Sequence, residues 1–431
     1  MITTAYINIW NQKVGAISWN PETGITSFEY EPEFLKTNLD LAPIAMPGAG
    51  ALGKIYSFPE LRNNSTFKGL PGLLADMLPD KYGNTLINSW LSSLGRPSGS
   101  INPVETLCFI GTRGIGALEV EPVIFQTSTR TSKIELDSLV EMAGNILTSR
   151  KDFTTNLTGD EQKALQDIIK IGTSAGGARA KAVIAWNPAT GEIRSGQATT
   201  PKGFSHWLIK FDGVLDNQSG MESGYGRIEM AYHLMAVEAG IEMAECRLLE
   251  ENGRAHFMTK RFDRDPEQEK IHMQSFCALR HFDFNDVGYY SYEQLFETMR
   301  MLGLPYPQAE QLYRRMVFNV MGRNCDDHTK NFAFLMDRTG KWKLSPAFDV
   351  CYAYRPGSEW VSQHSLSING KRKEITRADL LQVAYQMNIK NADHIIGQVA
   401  EVISSWEDYA NRVQVDPAKK KAIAGNLIIL K

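Results

Sequence analysis

The stretch CDDHTKNFAFLMDRTGKWKLSPAFD, residues 325 to 349, decides the fold. It follows QAEQLYRRMVFNVMG (308–322), whose apolar residues recur at helical spacing and whose Gly322 ends the pattern. Residues 323–330 are therefore expected as a loop, and the segment behind it as a hairpin turning at Asp337 to Gly340 before Phe348 and Asp349. A loop bearing Asp and Asn, followed by a hairpin whose far end presents Phe-Asp, is the layout by which phosphotransferases hold a base and two metal ligands against ATP. Such loops place the metal-binding Asn five residues after the catalytic Asp. Asp326 plus five is Asn331, whereas Asp327 plus five is Phe332, so Asp326 is the expected base and Asp327 a structural neighbour. Asn331 and Asp349 then supply the hard oxygen ligands that Mg²⁺ takes. A rival reading makes Asp326, Asp327 and His328 a metallohydrolase site, which requires adjacent residues to point at one ion.

A phosphate-binding apparatus should lie upstream. IGTSAGGARAK (171–181) offers Gly172, Gly176 and Gly177, with Lys181 just behind, and glycines let backbone N–H groups approach phosphate oxygens. The spacing matches neither the Walker A loop nor the G-x-G-x-x-G of ordinary protein kinases. Lys210 ends the strand-like HWLIKF (206–211) between this glycine loop and the helix carrying Glu229, where a phosphate-contacting lysine and its glutamate would stand. The ordinary alternative is an edge-strand lysine leaving the core.

Length and composition set the frame. At 431 residues with 43% hydrophobic content, the chain exceeds one ordinary core. The net charge of -3 with evenly mixed signs gives no basic face of the kind that nucleic acid demands. Five scattered cysteines without a C-x-x-C pair argue against a disulfide framework or a zinc site and for a reducing cytoplasm. No apolar run approaches the roughly 20 residues of a membrane span. KRK at 371–373, with Arg377, is a minor basic patch whose ordinary role is a solvated face and whose alternative is contact with DNA phosphates.

The pattern divides into an N-terminal α/β segment (1–125), an ATP-binding α/β segment with the glycine loop (126–270) and a helical C-terminal domain carrying the catalytic loop (271–431). AYINIWNQKVGAISW (5–19) reads as a hairpin around Asn11-Gln12-Lys13, and CRLLEENGRAHFMTKRF (246–262) as another turning at Asn252-Gly253. Pro71 opens a short helix and Pro79 separates it from the next. Ser291 with Gln294, and Thr376 with Asp379, read as helix-starting caps, and FQTSTRTSK (125–133) as a linker. The fold class is α+β.

These segments resemble the HipA-type serine/threonine kinases, toxin components of bacterial toxin–antitoxin pairs. The resemblance spans nearly the whole chain, through LPGLLADMLPD, IGTRGIGALEVEP, TSAGGARAK, HWLIKF, EMAYHLMAVEAGI, KRFDR, CDDHTKN and SPAFD. It implies a HipA-like, protein-kinase-like fold with a mixed N-terminal domain and an all-helical C-terminal one. It also implies ATP and Mg²⁺ as cofactors. In this resemblance Asp326 orients or deprotonates the acceptor hydroxyl, and Asn331 and Asp349 hold Mg²⁺. His328, Lys181, Lys210, the glycine loop and Phe348 meet the nucleotide, and Lys260 and Phe262 flank its adenine. Ser174 stands where the family is autophosphorylated in trans. The sequence departs from the family at GARAK, where Ala180 replaces an acid, at Lys260, where a Glu is usual, and at HMQSFCAL (272–279). Implied partners are a HipB-like antitoxin dimer, operator DNA reached mainly through it, and an aminoacyl-tRNA synthetase as substrate. The alternatives are a catalytically weak kinase-fold co-repressor and a small-molecule kinase.

Overall fold

The computed structural model describes residues 2–125, 133–148, 159–173, 179–197, 200–214 and 224–430. The expected linker therefore lies almost wholly outside the described residues, as do Ser174, Gly176 and Gly177. The chain forms two compact units, one of Met1–Asp40, Met46–Gly226 and Arg247–His272, the other of Leu41–Ala45, Arg227–Cys246 and Met273–Lys431.

The first unit holds two five-stranded sheets. One is built from β1 (Thr4–Ile9), β2 (Gln12–Asn20), β3 (Ile25–Tyr30), β4 (Ile55–Tyr56) and β5 (Leu118–Glu121) in the order β4-β3-β2-β1-β5. Alternate residues of β1 are buried, Ala5, Ile7 and Ile9, as a strand with one face on a core requires. The first turn is Trp10-Asn11, both at positive φ, rather than the expected Asn11 to Lys13, because a two-residue turn of that kind matches strand twist. The helix Pro103–Ile110 is buried from Val104 onward, and the Asn102 side chain caps it by accepting from Glu105 N–H at 2.8 Å.

The second sheet comprises β6 (Lys181–Trp186), β7 (Ile193–Ser195), β8 (Ser205–Lys210), β9 (Cys246–Glu251) and β10 (Arg254–Lys260), ordered β7-β6-β8-β10-β9. Asn252 and Gly253 turn its last hairpin at positive φ, as the sequence predicts. Every residue of β6 is buried, and the helix Gly159–Gly172 packs against it. Residues on both sides of position 125 fall in this first unit, fastened by polar contacts. Gly116 N–H donates to Asp263 at 2.7 Å, and Lys270 Nζ reaches both Glu119 and the Thr112 carbonyl at 2.7 Å.

The second unit is largely helical, and it is not all-helical. A small sheet, β11 (His272–Ser275), β12 (Ala333–Met336) and β13 (Trp342–Leu344), belongs to it from Met273 onward, since the hairpin behind the loop 325–330 needs a partner for its backbone. Its turn closes where predicted, Gly340 N–H donating to the Asp337 carbonyl at 3.0 Å. Both expected capping boxes form, Ser291 with Gln294 and Thr376 with Asp379. The long helix Tyr306–Met321 buries Leu312, Met316, Val317, Phe318 and Val320, each worth roughly 1.5–3 kcal/mol when removed from water. The Tyr232 ring packs on Phe318 and Trp406, and its hydroxyl donates to the Gly322 carbonyl at 2.6 Å, fixing the point where this helix gives way to the loop.

Candidate active site

From residue 325 to residue 330 the loop alternates strictly between buried and partly exposed positions. Cys325, Asp327 and Thr329 are buried, and Asp326, His328 and Lys330 lie on the other face. Over Cys325–His328 such alternation is the signature of extended backbone with one face on a core, and Thr329–Asn331 then close a single 3-10 turn. Asp326 is half exposed along its side chain, and its carboxylate stands 3.9 Å from His328 Nε2. His328 rests beside the Phe284 ring, and its Nδ1, itself buried, has no hydrogen-bond partner among the described residues. Thr329 ties the far end of the ribbon down by donating to the Phe282 carbonyl at 2.8 Å.

Asn331 and Asp349, the two residues expected as metal ligands, lie together. Asn331 and Asp349, with Phe348, line one small crevice together with Arg315, Asn319 and Asn324. The Asn331 side-chain amide donates to the Asp326 carbonyl at 2.6 Å, and its side-chain oxygen is not used in that bond. Asp349 sits at φ 52°, a left-handed conformation rare for a non-glycine residue, immediately after the hairpin. Conformations of that kind cluster at functional sites, where the surrounding structure holds them. A carboxylate and an amide oxygen form an oxygen-only donor set, which fits Mg²⁺ and leaves its other positions to water and phosphate.

Asp327 does something different. Its side chain is fully buried and accepts from Tyr292 Oη at 2.8 Å, His364 Nδ1 at 2.8 Å and Ser365 N–H at 2.7 Å. Tyr292 Oη in turn accepts from the Asn319 amide, whose oxygen accepts from Asn324. Asp326 and Asp327 thus face opposite sides of the ribbon and cannot ligate one ion, which removes the metallohydrolase reading. Tyr292, Asn319 and His364 were not singled out from the sequence, and no local pattern marks them.

Burial alone would lower the His364 pKa, and the touching Asp327 carboxylate overrides this and raises it to about 10. A histidine raised above its unfolded value of about 6.5 contributes stability that is complete below that value and is lost as pH climbs through the folded value. Melting temperatures between pH 7 and 10 are therefore expected to fall less steeply in His364→Asn than in wild type, and parallel profiles would show that this pair does not titrate as stated.

In the first unit, Lys181 and Lys210 are direct cross-strand partners of β6 and β8, so both side chains belong to one sheet face. Lys210 also stands opposite Phe257, with Nζ 5.7 Å from the ring centroid. Lys260 lies three positions along, opposite Trp207 on β8, and is followed by Arg261 and Phe262. Asp263, next in line, is buried; burial would raise its pKa, and the guanidinium groups of Arg261 and Arg264 hold it well below the usual carboxylate range. Gly172 is accounted for by packing: it ends the helix Gly159–Gly172 and is itself buried, and a Cβ there would stand 2.7 Å from Leu86 Cδ1 and 3.3 Å from Tyr82.

The minor basic patch is also accounted for. Lys371 pairs with Asp379 at 2.9 Å, Arg377 with Asp393 at 2.6 Å, and Arg372 donates to the His364 carbonyl at 2.7 Å. Lys371, Arg372 and Arg377 are thus engaged within the domain, and Lys373 is exposed. All five cysteines are buried and reduced, and no helix among the described residues is long and apolar enough to cross a membrane.

Comparison with known proteins gives a consistent answer. The HipA N-terminal domain profile matches residues 5–121 and the HipA-like C-terminal domain profile residues 173–406. Two curated relatives carry the name "Putative kinase". One, from Sinorhizobium fredii, is 26% identical over 36% of this chain and 36% of its own length. The other, from Haemophilus influenzae, is 27% identical over 22% of this chain and 29% of its own. The chain thus matches only about a third of the length of these relatives. The fold matches HipA in the Shewanella oneidensis complex of HipA, HipB and operator DNA with a TM-score of 0.69, at 16% identity, covering 98% of this chain and 94% of that one. Matched by both domain profiles and carrying the same α+β fold from end to end, the chain belongs to the HipA family.

Proposed function

We propose that this chain is an ATP- and Mg²⁺-dependent protein serine/threonine kinase acting as the toxin of a toxin–antitoxin pair. The observation that carries the reading is the ribbon 325–331, which presents Asp326 outward while Asn331 and Asp349 line one crevice. In this reading Asp326 orients the acceptor hydroxyl and takes its proton, and Asn331 and Asp349 hold the metal. His328 Nδ1 receives from or donates to the nucleotide, against which Phe348 also lies. Lys181 and Lys210, side by side on one sheet face, meet its phosphates, and Lys260 and Phe262 flank the adenine. Bound Mg²⁺ supplies neutralisation of the charge that develops on the transferred phosphoryl group.

Ser174, with Gly176 and Gly177 beside it, is the proposed autophosphorylation site. A phosphate there adds close to two negative charges where ATP phosphates must sit, which opposes nucleotide binding. The proposed partner is a HipB-like antitoxin dimer, with operator DNA contacted mainly by the antitoxin; the Shewanella HipA was solved with HipB and its operator DNA. The net charge of -3 and the pairing of Lys371 with Asp379 and Arg377 with Asp393 support that division of labour. The proposed target is a translation component, an aminoacyl-tRNA synthetase by family resemblance.

Thermal unfolding tests the nucleotide half of this reading. At a hundredfold excess over Kd, MgATP is expected to stabilise the wild type by about 2.7 kcal/mol. Asp349→Ala should lose the Mg²⁺-dependent part of that gain, and equal stabilisation of both proteins would count against the assigned metal ligands.

A further inference from the structure

The two peptide carbonyls that flank the Asp326 Cα are both held. The Asp326 carbonyl accepts from the Asn331 amide at 2.6 Å, inside the loop itself. The Cys325 carbonyl accepts from Ser365, through Oγ and through N–H, each at 3.2 Å. That second clamp comes from a segment about forty residues further along the chain. Its position is set in turn by Asp327, which receives His364 Nδ1 at 2.8 Å and Ser365 N–H at 2.7 Å. The same segment runs past the other side of the loop, where Cys325 N–H donates to the Ala353 carbonyl at 3.0 Å and Ala353 N–H to the Arg323 carbonyl at 3.1 Å.

An extended ribbon without a ladder partner has no hydrogen bonds of its own to fix its dihedral angles. Here segment 353–365 supplies them, and Asp327 with His364 is the buried pair that docks it. From this arrangement we infer that His364, acting through Asp327, is a positioning residue that fixes the backbone of Asp326 and with it the aim of that carboxylate. The inference rests on the kinase reading. Its physical content is separate: His364 is buried against Asp327, which lines the crevice beside Asn331 and Asp349 and spends its carboxylate on Tyr292, His364 and Ser365. A buried ionic hydrogen bond suits the role, because the pair is satisfied in one geometry only and losing it leaves a buried group without a partner.

Misplacement of a catalytic group by an ångström costs up to roughly 100-fold in rate, and that loss falls on turnover. Phosphoryl transfer by His364→Leu is therefore expected to show kcat reduced about 10- to 100-fold, with KM for MgATP within about threefold of wild type. His364→Asn, whose amide reaches the place of Nδ1 and can donate to Asp327, should recover most of the loss. A folded His364→Leu protein with wild-type kcat would overturn the inference. So would a loss shared between kcat and KM that His364→Asn fails to restore, since that is the mark of a merely structural residue.

If His364→Leu does not fold, Tyr292→Phe carries the test, because it removes one donor to Asp327 and little volume. Lower kcat at unchanged KM supports the inference, and unchanged kcat overturns it. A wild-type control without any transfer is a different result: it overturns the kinase reading itself, and the positioning role falls with it.

Discussion

Asp326→Asn is expected to lower phosphoryl transfer by roughly 10²- to 10⁴-fold, the contribution of a positioned general base, while leaving the melting temperature unchanged. The reasons are geometric. The Asp326 side chain is half exposed, and the contacts that hold the loop use its backbone carbonyl. Asparagine keeps that carbonyl and the side-chain volume and removes only the charge and the basicity. Nucleotide affinity should persist, because the proposed metal donors are Asn331 and Asp349. Assayed side by side, kcat and melting temperature separate a catalytic loss from a folding loss.

Asp327→Ala should lose stability. Its carboxylate is the acceptor for Tyr292, His364 and Ser365 at once, all in a site closed to water. Removing one partner of a buried pair typically costs about 3–5 kcal/mol, because the remaining group stays buried without compensation. Denaturant titration of Asp327→Ala should report a loss of that order, and kcat of the protein that remains folded should fall as well, since Asp327 docks the segment that fixes the Asp326 backbone. A stability change below about 0.5 kcal/mol, the range of ordinary surface substitutions, would mean that the hub does not hold the loop.

Adjacent aspartates with opposite fates show what the sequence made legible. The five-residue spacing from Asp326 to Asn331 chose the outward one, and the hairpin turn at Asp337 to Gly340 placed Asp349 behind it. Both signals are local, as are the two capping boxes and the Asn252-Gly253 turn, and local rules suffice for them. The partners of Asp327 were not legible. Tyr292 lies 35 residues before it and His364 37 residues after it, and no short-range pattern encodes a pairing over such separations. Gly172 was not legible either, for a related reason. A glycine required by close packing against Leu86 and Tyr82 reads in sequence like one required by a phosphate. The basic cluster at 371–373 looked available because Asp379 and Asp393, which engage Lys371 and Arg377, come from helices that follow it.

The central claim is that Asp326 serves phosphoryl transfer, and incubation of the purified chain with γ-labelled ATP and Mg²⁺ tests it most directly. The wild type should transfer label to itself or to a protein in a lysate, and Asp326→Asn, folded to the same melting temperature, should not. Absence of transfer by the wild type, or full transfer by Asp326→Asn, would contradict the claim.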